Sequence, residues 1–219
     1  MKFRIVYFAL LFGLFFYSCS EGNKKIIQIP MQNIKGRDYE GKRFNVYRVR
    51  VPAHWIRKDS FPDESLIDTK KALCEFLIPL GKETIRIAIH NFPSETIDQR
   101  IPPSAQIARW KRQFEVLIPS ESSTIPQAYS GYSGLKFKGV GDLNHIDSMV
   151  LGWSLQISQE HYRTLSHPVN FSDKNLYREM RADITIKAVG PKALMEENEE
   201  EINRFARSFE LIEEIPSRP

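Results

Sequence analysis

The chain has almost no cysteine. Its 219 residues carry two, Cys19 and Cys74. If Cys19 is spent elsewhere, no intramolecular disulfide can form and stability has to come from a packed core. Charge of one sign is also scarce. The net charge is +4, and loss of Lys2 and Arg4 with a cleaved leader leaves +2. That field is too weak to argue for nucleic acid. Long apolar runs are missing as well. Ile5–Tyr17 is shorter than the roughly twenty residues that span a bilayer.

Catalytic signatures are equally sparse. Gly131-Tyr132-Ser133-Gly134-Leu135 misses the G-x-S-x-G elbow, because Leu135 stands where the last glycine must be. Gly139-Val140-Gly141 is followed by Asn144, which removes the dinucleotide-binding fingerprint. The five histidines, His54, His90, His145, His161 and His167, share no metal-ligating spacing on one helix or strand. The acidic run Glu196–Glu201 lacks the alternating oxygen ligands and glycine of a calcium loop. It opens a helix, where negative charge is favoured. Neither a metal nor a cofactor is expected, and the chain reads as a non-enzyme.

What is present begins at the first residue. Lys2 and Arg4 precede the apolar run, and Phe16-Tyr17-Ser18-Cys19-Ser20 follows it. The run has the length of a signal-peptide core. A small residue before a cysteine is what bacterial lipoprotein processing needs, so residues 1–18 read as a leader and Cys19 as the lipidated residue. Two or three acyl chains there would hold the protein on a membrane. It would face the periplasm or the exterior. Ser20 is not the aspartate that retains lipoproteins in an inner membrane, which favours the outer membrane in a double-membraned cell.

Residues 19–43 read as a polar tether, with Ile26, Ile27 and Ile29 able to dock as a short strand. A single domain is expected over 44–219. Alternation predicts strands at Tyr47–Val51, Leu73–Ile78, Thr84–Asn91, Leu135–Val140, Met149–Ile157, Tyr177–Val189 and Phe209–Ile215. Cys74 falls on an inward face with Ala72, Phe76 and Ile78, a buried and inert thiol. Ser104 is a candidate N-cap for a helix whose stripe runs Ile107, Trp110, Phe114, Leu117. A second helix is expected over Leu194–Ser208, with Met195, Ile202, Phe205 and Ala206 on its apolar face. Pro119–Ser133 reads as a loop and His161–Asn175 as an irregular insertion. Asn144-His145 reads as a hairpin turn. Trp110 and Trp153 are both expected to be buried where helix meets sheet.

Strands that follow one another without helices pair antiparallel, so the class is α+β, a mainly antiparallel sheet with two principal helices packed on it. In Val51-Pro52-Ala53-His54-Trp55 and Ala108-Arg109-Trp110-Lys111-Arg112-Gln113-Phe114 the chain resembles the PsbP family. That resemblance implies a PsbP-like α/β/α sandwich. It also implies a non-enzymatic accessory or assembly factor that binds a protein partner in the cell envelope, the membrane being met through the N-terminal lipid.

Two groups of residues are candidates for contact. Arg48 and Arg50 share the outward face of one strand, with Arg57 and Lys58 close in sequence, a patch suited to acidic lipid or an acidic partner. His161, Tyr162 and His167 flank the irregular insertion and are the candidate lining of a small-ligand pocket. The readings from other classes are a cell-wall hydrolase using Glu and His residues of Ser158–Asn175, and a small-ligand carrier.

Overall fold

The computed structural model describes residues 29–37, 43–59, 71–92, 100–157 and 183–212. Cys19, His161, Tyr162 and His167 lie outside the described residues, as do the insertion around them and the leader.

In chain order the strands are β1 (Met31–Arg37), β2 (Arg43–Arg50), β3 (Ile56–Asp59), β4 (Cys74–Leu80) and β5 (Glu83–Phe92). Helix α1 (Pro103–Lys111) follows. Then come β6 (Val116–Leu117), β7 (Ser123–Tyr129), β8 (Tyr132–Leu143), β9 (Ile146–Ile157) and β10 (Asp183–Pro191). Helix α2 (Lys192–Arg207) and β11 (Glu210–Leu211) close the described chain. The large sheet runs β3-β4-β5-β10-β9-β8-β6, with β7 also paired to β8, and a second sheet runs β1-β2-β11. All these pairings are antiparallel. The α+β class expected from the strand pattern is therefore what the molecule has.

Period-two alternation splits the large sheet into two faces. Ile85, Ile87 and Ile89 of β5, Leu151, Trp153 and Leu155 of β9, and Ile184, Ile186 and Ala188 of β10 enter the main core. Met195, Ile202, Phe205 and Ala206 of α2 close that core together with Ile34, Tyr47 and Val49 of the small sheet. The intervening residues Phe137 and Val150 meet Ile107, Trp110 and Phe114 on the opposite face. The two helices thus flank the large sheet, one on each side. Trp110 and Trp153 are both buried, but on opposite faces of the large sheet: Trp110 packs from α1 onto one face, and Trp153 points from the other into the core that α2 closes.

Several elements differ from the sequence reading. The first is β1, which lies inside the stretch read as a tether. It pairs along β2 from Met31↔Arg50 to Arg37↔Arg43. Ile34 fits beneath it with 1% exposure, an anchor that a polar composition hides. The segment read as a loop folds into a 3₁₀ turn at Pro119–Glu121 and strand β7. Helix α1 starts at Pro103, so Ser104 is not its cap; proline at the first helical position is already set to the required φ. The helix ends at Lys111, because the next residues turn to form β6. The Glu115 N–H donates to the Asp142 carbonyl at 2.9 Å, and Leu117 pairs with Gly141. Leu117 still packs in the same small cluster as Trp110, from a strand rather than the helix.

Two short hairpin turns join β7 to β8 and β8 to β9, the first inside the segment read as a loop and the second at the expected Asn144-His145 turn. Ser130 and Gly131 have φ of 50° and 79°, and Asn144 and His145 have 51° and 63°. Two consecutive positive φ values between paired strands are the type I′ geometry that matches strand twist.

Candidate interaction groove

The turn Pro52–Trp55 carries β2 into β3 and positions the site. The Trp55 N–H donates to the Pro52 carbonyl at 3.1 Å. The Trp55 ring lies 4.9 Å from Phe205 and 6.3 Å from Phe76, centroid to centroid. Its indole Nε1 donates to Glu201 Oε2 at 3.2 Å, and His54 Nε2 lies 3.4 Å from the same oxygen. The Pro-x-x-Trp motif is therefore a packing device that locks the end of β2 onto α2.

The lock leaves a groove of about 270 Å³ between the end of β2 and the last turns of α2. Phe205 and Pro52 supply its apolar floor and Ile29 its rim; Arg50, Arg204 and Arg207 line it together with one acid, Glu201, so its charge is basic by two. The Arg50 N–H donates to Ser208 Oγ at 2.9 Å, and that hydroxyl donates to the Phe205 carbonyl at 2.7 Å. Strand and helix ends are stitched at this point. Arg204 and Arg207 also sit in the last helical turn, where a cation is favoured by the helix dipole. That accounts for their place on the helix. It does not account for Arg50, which a separate strand brings to the same groove.

Of the four cationic residues singled out in the sequence, Arg50 alone lines this groove. Arg48 bonds Glu210 at 2.6 Å and ties β2 to β11. Arg57 donates to Asp59, to the Gln32 side chain at 3.2 Å and to the Asn33 carbonyl at 2.9 Å, with its guanidinium 6.0 Å from the Phe76 ring. It holds β1 against β3. Lys58 is exposed on the edge strand β3. Sequence proximity thus gathered residues that serve different contacts. It missed Arg204 and Arg207, whose only signal was a basic end to an otherwise acidic helix.

Several other ionisable groups among the described residues hold elements together. Asp183, 7% exposed, is gripped by Arg100 through both oxygens, and it also accepts from Gln156 Nε2 and the Ile157 N–H. The Arg86 guanidinium holds the Glu75 carboxyl below its usual range. Lys138 bonds Glu199 at 2.8 Å, fixing α2 to β8. Lys136 lies 5.5 Å over the Trp153 ring, and burial pushes its ammonium down. His145 Nδ1 meets Glu115 at 2.8 Å in an exposed turn. Burial pushes the Cys74 thiol up to about 12, as an inert core cysteine requires. Among the described residues no three His, Cys, Asp or Glu side chains gather as a metal site. No described helix is long and apolar enough to cross a membrane.

No family model matches the chain, and no curated protein matches it. Solved structures do. LpqN of Mycobacterium tuberculosis, involved in cell envelope biogenesis, superposes with a TM-score of 0.50 at 10% identity, over 83% of this chain and 91% of that one. A cyanobacterial PsbP, CyanoP of a Synechocystis species, gives 0.42 at 14% identity, over 89% and 98%. At such identity the likeness to LpqN is one of fold, and fold alone does not carry a function.

Proposed function

We propose that this chain is a lipid-anchored protein of the cell envelope that works by binding rather than by catalysis, with the groove between β2 and α2 as its contact for an acidic envelope component. Cys19 carries the acyl chains in this reading. The observation that carries the proposal is the convergence of Arg50, Arg204 and Arg207 over an apolar floor at Phe205. Guanidinium groups offer fixed forks of N–H donors that match carboxylate and phosphate oxygens. Glu201, which also lines the groove, offsets one of the three charges and leaves the groove basic by two, with one of its oxygens turned to Trp55 and His54.

Two further lines support an envelope role. The N-terminal pattern of basic tip, short apolar run and cysteine is that of an exported lipoprotein. LpqN, which shares the fold, is itself involved in cell envelope biogenesis. A scaffold or assembly role follows from the PsbP-like resemblance. It fits a molecule whose described acids Glu75, Asp183 and Glu199 are committed to structural ion pairs.

Three experiments test it. Cys19→Ala should abolish acyl labelling in cells and leave unprocessed precursor; continued labelling removes the anchor. A photoreactive residue at Ala53, exposed beside the groove, should give one dominant adduct in intact cells, its identity read by mass. No adduct at Ala53 removes the groove as the contact. Turnover of cell-wall substrate that is lost in His161→Ala would replace the binding reading with the hydrolase.

A further inference from the structure

We infer that the groove end of the domain is a seat for the anionic headgroup layer of the membrane that holds the Cys19 anchor. The inference rests on the anchored binding reading above and names the acidic component. It stands on three observations about one end of the molecule.

The first is the apolar rim. Ile29 and Met31 are 39% and 42% exposed, large side chains left in solvent. The register places Met31 directly opposite Arg50, and the Val51 N–H donates to the Pro30 carbonyl at 3.2 Å. Both apolar residues therefore flank the arginine that opens the groove. Apolar side chains beside guanidinium groups suit the boundary between headgroups and acyl chains, where each finds its own solvent.

The second is the division of charge along α2. Its first ten residues hold Glu196, Glu197, Glu199, Glu200 and Glu201, and its last turn holds Arg204 and Arg207. At 1.5 Å of rise per residue, Glu196 lies about 16 Å along the axis from Arg207. With the basic end against an anionic surface, the acids at the start of the helix recede from it. Glu199 is paired with Lys138, and Glu201 is the one acid that stays in the groove, with one oxygen bonded to the Trp55 indole.

The third is the leash. Nine residues lie between Cys19 and Ile29, ten Cα-to-Cα steps with a reach of at most about 35 Å when fully extended. A lipid on Cys19 keeps the groove within that distance of the bilayer at all times. Tethering of this kind makes even weak attraction effective. Headgroups are always in reach of the groove, and a soluble partner is not.

Each arginine close to an anionic surface is worth on the order of fivefold in partitioning, so three arginines offset by Glu201 give roughly twenty-fivefold. The test uses the full chain as the cell processes it, purified in detergent and reconstituted through its own anchor, with a polarity-sensitive dye on Ala53→Cys. Cys74 is buried and does not take the dye. Emission should shift to the blue in vesicles of phosphatidylcholine mixed with phosphatidylglycerol, relative to phosphatidylcholine alone. The shift should vanish near about 1 M salt, where the screening length is about 3 Å. It should also vanish in the triple variant Arg50→Gln, Arg204→Gln, Arg207→Gln, while Arg112→Gln on the other face keeps it. Equal emission in both vesicle types from the otherwise unaltered chain overturns the inference without appeal to any variant's folding. So does a shift that persists in high salt or in the triple variant. A protein adduct at Ala53 in cells combined with equal emission in vesicles removes the lipid seat and leaves the binding reading in place.

Discussion

Gly152 and Trp110 should be coupled so tightly that the cost of one substitution changes sign in the presence of the other. Gly152 lies in β9 opposite Phe137 of β8 and Lys187 of β10, on the face that α1 covers. A Cβ placed on it would stand 2.3, 2.6 and 2.9 Å from three carbons of the Trp110 ring. The ring is 5% exposed and packs in the small cluster with Ile107, Phe114, Phe137 and Val150, so it has little room to retreat. Gly152→Ala alone should therefore cost about 1–3 kcal/mol, the usual penalty of an overpacked core. Trp110→Ala alone should cost about 3–5 kcal/mol. In the Trp110→Ala background the clash is gone. The new methyl fills part of the cavity, and a strand glycine worth about 0.5–1 kcal/mol of lost chain freedom is removed. There Gly152→Ala should be neutral or stabilising by up to about 1 kcal/mol. The interaction energy of the cycle is then about 1–4 kcal/mol. Urea unfolding of the four proteins, with slopes compared to confirm a common two-state transition, measures it. Additivity within about 0.5 kcal/mol would mean that helix and strand do not meet at this pair.

Asp183→Ala should cost about 2–4 kcal/mol in the same assay, because it leaves the half-buried Arg100 guanidinium and the Ile157 N–H without their acceptor; a loss below about 1 kcal/mol would refute the reading of Asp183 as the tie at that end of the sheet. Asn91 is fully buried on the main-core face, and neither atom of its amide has a hydrogen-bond partner among the described residues; Asn91→Leu should raise the urea midpoint by the equivalent of about 1–3 kcal/mol, and a drop would show that the amide serves a bond. Lys187 is held down to about 8 by burial, with the Arg86 and Arg109 charges adding to it. The unfolded chain keeps that proton to higher pH, so stability should rise with pH between about 8 and 10.5 and the destabilisation be present in full below about 8. Lys187→Met should remove that rise and gain about 1–2 kcal/mol at pH 7, after allowance for its lost bond to Gln113; parallel pH curves for the two proteins would refute it.

The fold was legible where one rule governed. Ile85, Ile87 and Ile89, and Met149 through Ile157, alternate so strictly that their inward faces follow from period two alone, and all of those odd-numbered residues are buried. The apolar stripe of α2 was equally direct. Legibility failed where a short element depends on a distant partner. Met31–Arg37 is polar and carries a glycine, and it becomes a strand only because β2 offers an edge and Ile34 finds the core. Val116–Leu117 were the natural end of a helical stripe until the Glu115 N–H met the Asp142 carbonyl. Ser123–Tyr129, mostly exposed and holding a proline, gave no alternation to read, yet it pairs with β8 from Ser123↔Lys138 to Tyr129↔Tyr132. In each case the pairing partner supplies the hydrogen bonds that local sequence cannot announce.

The groove was hidden for a related reason. Arg50 was visible as an outward residue of a strand. Its partners Arg204 and Arg207 stood more than 150 positions away, in a place that the helix dipole already explains. What joins them is the route of the chain after α2. Phe209 drops into the main core against Tyr47, 5.1 Å between ring centroids, and the next two residues pair with β2 rather than with the large sheet. Alternation reveals that a strand has a buried face but not which sheet will cover it. Had Glu210 and Leu211 joined the large sheet, Ser208 would have no reason to meet the Arg50 N–H, and three arginines would be scattered over two surfaces. The site is therefore a consequence of topology. Arg48, which bonds Glu210 across that pairing, is then better understood as a residue that secures the groove than as part of its contact surface.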